Sequence, residues 1–302
     1  MQPEDWTLER GAPGFPPGLA DLDRVDGLES PRRLHGRGAR SLVAGLEPAA
    51  AVTIVGARRC TGYGRSVAAE LAGSLAEAGV VVVSGMAFGI DSAAHEGALA
   101  AAGSTVAVLA CGPDRAYPPS ARSLYRRILE SGGAVVSESP PGYEPGRWDF
   151  PRRNRLMAAL AAMTVVVEAT EPSGSRITAE RAMELGRDVG AVPGPIGSRL
   201  SAGPHSLLRE GAHFVGGAQD VLDRVLGVGA ATATRVGPSL DAEGTALLGL
   251  VEGEGAGLER LTAASGMPAA AAAVALARLE LLGYLRVDRG RYVRTGLSPP
   301  SS

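Results

Sequence analysis

The chain contains no lysine: all 30 of its basic side chains are arginine. A phosphate loop ending in Gly-Lys-Ser/Thr is therefore excluded, and so is a lysine Schiff base. Contact between an anion and a cationic side chain falls to guanidinium or protonated histidine. The planar fork of guanidinium suits bidentate phosphate contacts. Two cysteines, Cys60 and Cys111, are too few for a disulfide framework. No uncharged run of 18 or more apolar residues suggests a membrane span. The opening stretch MQPEDWTLERG has neither the basic nor the apolar part of a secretory signal. These absences predict a cytoplasmic protein. Net charge is also nearly absent, at -2, so bulk charge does not announce a nucleic-acid binder.

What is present is a chain of 302 residues with 21% charged residues, long enough for one large and one small domain. Residues 1–50 are rich in Pro and Gly and read as an irregular segment, with one short extended piece in PRRLHGRG. From Val52 onward, short apolar runs alternate with helical patterns. VTIV, VVVVS, TVAVLA, AVVS, TVVVEA and DVGAV read as strands, and AHFV as a last one. Continuously apolar strands separated by helices predict a parallel sheet covered on both faces. The fold class is α/β: an extended Rossmann-like, doubly wound, mainly parallel sheet over residues 51–226. Residues 227–239 read as a linker. Residues 240–295 read as three short helices and a hairpin, a small winged-helix domain. Residues 296–302 read as a disordered tail.

Doubly wound sheets bind ligands beyond the carboxyl ends of their strands, so the loops after strands matter most. In VGARRCTGYG, Gly56 and two later glycines permit a turn whose N–H groups face an anion at a helix start, with Arg58 and Arg59 adding charge. An ordinary strand–helix turn explains the same residues equally well. In SGMAFGIDSAAH, Gly85 and Gly89 bracket Phe88, Asp91 reads as a helix cap and His95 as a surface histidine. ACGPDRAYPPS offers Arg115 and Tyr117. EATEPSGSRITAE offers Ser173, Gly174, Ser175 and Thr178 at a helix start, suited to phosphate or to routine capping.

FPRRNRLMAAL is the most unusual stretch. Arg152, Arg153 and Arg155 crowd the predicted start of an apolar helix, where the macrodipole disfavours cations. An anion nearby would relieve this. Asn154 adds donors, and Phe150 adds a flat face that stacks a base or packs beneath the site. Arginines beside an aromatic ring are what single-stranded nucleic acid binding uses. Leu156, Met157, Leu160 and Met163 read as core.

Taken in order, VGARRCTGYG, SGMAFGIDSAAH, YPPS, SESPPG, FPRRNRLMAAL, VVVEATEPSGSRITAERAMELGRDVGAVPG and SAGPHSLLREGA resemble the DNA-processing protein A (DprA/Smf) family. The resemblance covers roughly residues 30–215. It implies a single-stranded DNA-binding protein that protects incoming DNA and loads a RecA-type recombinase in natural transformation and recombination. It also implies a homodimer and no catalytic activity. Residue by residue, the family's G-S/A-R turn matches Gly56, Ala57 and Arg58. Its F-P-x-R-N-R motif matches Phe150, Pro151, Arg153, Asn154 and Arg155. Its S-G-x-x-x-T-A motif matches Ser173, Gly174, Thr178 and Ala179, and its later PG matches Pro193 and Gly194. Phe88 stands where many members have arginine, and His205 where many have asparagine.

The expected DNA-binding residues are thus Gly56, Arg58, Gly85, Phe88, Phe150, Arg153, Asn154, Arg155, Ser173, Gly174 and Thr178. Arg58, Arg153 and Arg155 are expected on phosphates, while Arg152 reads as solvated. No cofactor, metal or membrane partner is expected. Two other function classes fit parts of the chain. One is a nucleotide phosphoribohydrolase-like enzyme, which GSRITAE loosely echoes. The other is a ligand-sensing winged-helix repressor, whose recognition helix PAAAAAVALARLELL carries only Arg278 as a basic residue.

Overall fold

In the computed structural model, which describes residues 4–233, 235–236, 238–252, 255–295 and 297–299, the chain divides into two compact units, Met1–Ala233 and Thr234–Ser302. The first unit begins with β1 (Asp5–Glu9), α1 (Pro17–Ala20), β2 (Arg33–Gly38) and α2 (Arg40–Val43). Alternation of strand and helix then sets in. It runs β3 (Ala51–Val55), α3 (Gly62–Glu77), β4 (Val81–Ser84), α4 (Ile90–Ala100), β5 (Thr105–Leu109), α5 (Arg122–Glu130) and β6 (Ala134–Ser137). The second half runs α6 (Asp149–Ala159), β7 (Met163–Val166), α7 (Gly174–Glu184), β8 (Asp188–Ala191), α8 (Ala202–Arg209), β9 (His213–Phe214) and α9 (Ala218–Val225).

All nine strands form one sheet in the order β1-β2-β6-β5-β4-β3-β7-β8-β9. The seven from β6 to β9 are parallel. Successive strand residues face opposite layers, as the two-residue strand period requires. Val81 and Val83 enter a core with Leu156, Met157 and Leu160 of α6 and its flank. Val82 enters the other core with Leu71 and Leu75 of α3. The mainly parallel, doubly wound α/β fold expected from the apolar runs is what forms. Strands β3 and β7 pair at its centre, Thr53 opposite Thr164 and Val55 opposite Val166. The chain winds one way from β3 to β6, then returns to lay β7 on the other side of β3. That reversal opens a crevice between the loops after β3 and β7.

Residues 4–50 are not an irregular segment. β1 and β2 pair antiparallel, and β2 pairs antiparallel with β6, extending the sheet. In β1 the alternation is present but short: only Trp6 and Leu8 turn inward, and of these only Leu8 is fully buried. Polar contacts compensate: Arg37 donates to Asp5 at 2.5 Å, Arg33 to Glu9 at 3.1 Å, and the Trp6 indole to the Gly38 carbonyl at 2.9 Å. The first unit also runs past residue 226, because Ala231 and Ala233 pack on the core beside α9.

The second unit contains β10 (Arg235–Val236), α10 (Ala242–Leu250), α11 (Leu258–Ser265), α12 (Ala269–Leu281), β11 (Leu285–Asp288), β12 (Arg291–Arg294) and β13 (Leu297–Ser298). Helices α11 and α12 meet at 112°, a helix-turn-helix angle, and the β11–β12 hairpin follows as a wing. The expected tail is ordered at Leu297–Ser298, where β13 pairs with β10; residues 296 and 300–302 lie outside the described residues. Parts of the expected linker, residues 234 and 237, do so as well. Among the described residues, no single helix is long and apolar enough to cross a membrane.

Candidate functional site

A cleft of about 600 Å³ opens at the β3/β7 reversal. Its walls come from the loop after β3, the start of α6 and the start of α7. Gly56, Arg58, Phe150, Arg153, Asn154, Ser173, Gly174 and Thr178 all line it. These are eight of the eleven residues expected at the site, drawn from three segments far apart in sequence.

Each wall has a physical reason. Ser173 caps α7, its Oγ accepting from the Arg176 N–H at 3.3 Å and meeting Ser175 Oγ at 2.9 Å. Gly174 faces open space, since a Cβ built there would meet nothing within 4 Å. The first backbone N–H groups of α7 are thus approachable, and a helix start favours anions. Thr178, one turn on, is buried, and its hydroxyl has no hydrogen-bond partner among the described residues. An unpaired buried hydroxyl is costly; a ligand oxygen in the cleft would pair it.

Cationic charge comes from Arg58, Arg59 and Arg147, all exposed and lining the cleft. Among the described residues none of the three forms an ion pair with a carboxylate. The Arg58 guanidinium sits 5.5 Å over the Phe150 ring, and the Phe150 ring in turn meets that of Tyr117 at 5.2 Å, tilted by 46°. Asp91 is the only acidic residue in the lining among the described residues. Its carboxylate already accepts from the N–H groups of Gly85 at 3.2 Å and Ala87 at 3.4 Å. It therefore braces the 85–89 turn and does not cap its own helix.

Arg153 reaches the cleft from below. It is buried and donates through Nη1 to the carbonyls of Gly85 and Val108, at the ends of β4 and β5. Burial pushes its pKa down to about 10, with Asp91 opposing the shift, so it stays charged at neutral pH. Burial likewise raises the Asp91 carboxyl, and Arg153 pulls it back. Asn154, the only asparagine in the chain, donates to the Gly174 carbonyl at 3.0 Å and accepts from Arg153 Nε at 3.3 Å. It ties α6 to the start of α7.

Three expected site residues lie elsewhere. Arg155 is buried, with its donors spent on the Glu29 and Arg152 carbonyls and on Glu138 at 2.8 Å. Instead of offering itself to phosphate, it staples α6 to the N-terminal segment. Gly85 stands behind Arg153 and outside the lining. Phe88 is 52% exposed, next to the cleft-lining Ala87, but does not itself line the cleft. Arg152 is exposed, as expected, and pairs with Glu138 at 3.0 Å.

The charge puzzle of FPRRNR also resolves differently. Helix α6 starts at Asp149, not at Arg152, so an acidic residue occupies its first turn. Its side chain accepts from the Gly146 N–H at 2.8 Å and the Tyr143 hydroxyl at 2.9 Å. The arginines sit deeper, where the dipole penalty has faded.

The start of α3 is occupied from within. Glu168, just after β7, accepts from the Thr61 N–H at 2.8 Å and the Thr61 hydroxyl at 2.6 Å. A Cβ on Gly64 would lie 2.3 Å from this carboxylate, so glycine is required for the close approach. The anion at this helix start is the protein's own. His95, expected on the surface, is fully buried, with Nδ1 2.7 Å from the Thr105 hydroxyl. Burial lowers its pKa to about 3, so it is neutral.

Sequence reasoning left Arg147, Trp148 and Glu168 unassigned. The GRWD run, an arginine and a tryptophan just before FPRRNR, carried a usable signal. Glu168 carried none, because its partner Thr61 is 107 positions away.

A strand-end crevice with an open helix start, arginines without carboxylate partners among the described residues and a tilted ring pair places this site in the doubly wound α/β class. The sequence pattern of the family described as DNA recombination-mediator protein A matches residues 7–226, and the chain belongs to that family. The DNA processing protein DprA of Streptococcus pneumoniae is 45% identical over 171 residues, covering 57% of this chain and 60% of that protein. Its crystal structure superposes with a TM-score of 0.64 at 39% identity, over 72% of this chain and 74% of that one. The Helicobacter pylori DNA processing protein A, whose structure concerns its single-stranded DNA binding mode, gives 0.63 at 28% identity, over 75% and 98%. The chain spans between 46% and 64% of the length of the curated relatives it matches first.

Proposed function

We propose that this protein binds single-stranded DNA in the cleft at the β3/β7 reversal. One observation carries the reading: Arg58, Arg59 and Arg147 line the cleft without carboxylate partners among the described residues, beside the Phe150–Tyr117 ring pair. Unpaired charge serves phosphates and flat faces serve bases, without selecting a sequence. The open start of α7 and the unpaired Thr178 hydroxyl add neutral donors for a phosphate. The single-strand binding described for the Helicobacter relative supports the same reading.

The test is fluorescence anisotropy with matched single and double strands over a salt series. Four to six neutralised phosphates give a slope of roughly -3 to -4 for log K against log salt on a single strand. Equal affinity for both strand forms, or no salt dependence, would overturn the proposal.

We further propose that the protein works in the cytoplasm as a homodimer, protects incoming single strands and loads a RecA-type recombinase in transformation and recombination. Filament assembly on protein-coated strands, with and without this protein, tests the loading role, and light scattering tests the dimer. The activity is binding without catalysis. Glu180, the carboxylate that a phosphoribohydrolase reading would recruit, pairs with Arg176 at 3.0 Å and does not line the cleft. Incubation with nucleoside monophosphates is expected to release no free base; release would favour the enzyme. The repressor reading is weakened by α12, where Val274 is 71% and Leu281 88% exposed. An apolar face lacks the polar groups that read base edges.

A further inference from the structure

Beyond the cleft itself, one exposed arrangement repeats. Inside, the Arg58 guanidinium lies over Phe150 at 5.5 Å; two residues earlier, the Arg147 guanidinium lies over Trp148 at 4.9 Å. Arg58, Phe150 and Arg147 all line the cleft, while Trp148 stands at its lip, 74% exposed. It is the most exposed large aromatic residue among those described. So large an apolar ring is usually mostly buried, and an exposed one marks a contact site. The fold does not need the ring there. Trp148 occupies the N-cap position of α6 without making a side-chain capping bond, and its indole N–H has no hydrogen-bond partner among the described residues.

We propose that Arg147 and Trp148 form a second nucleotide platform, on which a base of the bound strand stacks next to the inner Arg58–Phe150 platform. This rests on the reading that the cleft takes single-stranded DNA. Each platform pairs one guanidinium, for the backbone phosphate, with one ring, for the base. A backbone that follows the arginines along the lining then presents consecutive bases to the two rings. The outer ring, open to solvent, takes any base, because every base has a stacking face.

The chain supplies its own probe. It has two tryptophans. Trp6 packs over Gly36 on the β1–β2 edge, with its indole donating to Gly38. In a Trp6→Phe variant the remaining emission belongs to Trp148. Titration with a 20-nucleotide thymidine strand is expected to quench that emission with the same midpoint as anisotropy. In the otherwise natural chain, Trp148→Ala should bind the strand about 5- to 100-fold more weakly, while Trp148→Phe retains a flat face and stays within about threefold. A strand with abasic residues should bind the natural chain and Trp148→Ala with closely similar affinity. If anisotropy shows salt-dependent binding but Trp148→Ala binds within twofold of the natural chain, the outer platform is wrong and the cleft reading survives. If no single strand binds at low salt, both fall.

Discussion

The guanidinium of Arg153 faces the Cα of Gly85, with Cζ and both Nη atoms 2.6–2.7 Å from where a Cβ would be, and donates to the Gly85 carbonyl at 3.0 Å. The missing side chain is what lets the arginine act as a strut between the ends of β4 and β5. Gly85→Ala should therefore destabilise the protein by about 1–3 kcal/mol through overpacking. Arg153→Met should cost about 2–4 kcal/mol, because it leaves the buried Gly85 and Val108 carbonyls without their donor. Urea unfolding reads both; a change below about 0.5 kcal/mol in either would remove the strut from the account.

The arginines divide into those that line the cleft and those that hold the fold together, and the salt slope tests that division. Arg58→Ala, Arg59→Ala and Arg147→Ala should each weaken single-strand binding and reduce the salt slope by about 1. Arg155→Ala should leave the slope unchanged and lower stability by about 1.5–3 kcal/mol, the worth of a hydrogen bond to a charged group. A reduced slope in Arg155→Ala would return that residue to the phosphate path.

Thr178 offers a test in which stability and binding move apart. Thr178→Val removes a buried hydroxyl that has no partner among the described residues. Melting should stay level or rise slightly, whereas single-strand affinity should fall by about tenfold. A loss of stability would show that the hydroxyl is already paired in the free protein.

His95 sets an acid limit. Its folded pKa, about 3, lies below the ordinary 6.5, so between those values the unfolded chain binds the additional proton. The stability His95 contributes is complete above pH 6.5 and is lost as the pH falls through that window, at about 1.4 kcal/mol per pH unit. His95→Gln should lack this component. Denaturant midpoints measured for both proteins at pH 4, 5, 6 and 7 give the difference, in which the shared carboxylates cancel. Parallel curves would show that His95 is not buried as a neutral side chain.

Much of the sheet was legible because its strands are buried on both faces. AVVS at β6 and TVAVL at β5 announce themselves by apolar continuity alone. The edge strand DWTLE is harder to see because its alternation rests on only two apolar residues, Trp6 and Leu8, in a Pro- and Gly-rich segment. At the site, residue type was readable but direction was not. Arg153 and Arg155 look equivalent in FPRRNR, yet they are two positions apart on a helix, which turns one toward Gly85 and the other toward Glu29. The start of α6 decides this, and the arginine-rich run alone does not show that the helix begins three residues earlier, at Asp149. Glu168 was illegible for another reason: a carboxylate that satisfies a distant threonine leaves no local pattern.

That same Glu168 gives the α3 start an anion it cannot lose. A tethered group competes at an effective concentration on the order of millimolar, so a dissolved phosphate must outcompete a resident that never diffuses away. The Thr61 donors at the start of α3 are spent on that resident carboxylate, which leaves the open start of α7 as the helix end that an incoming anion meets in the cleft.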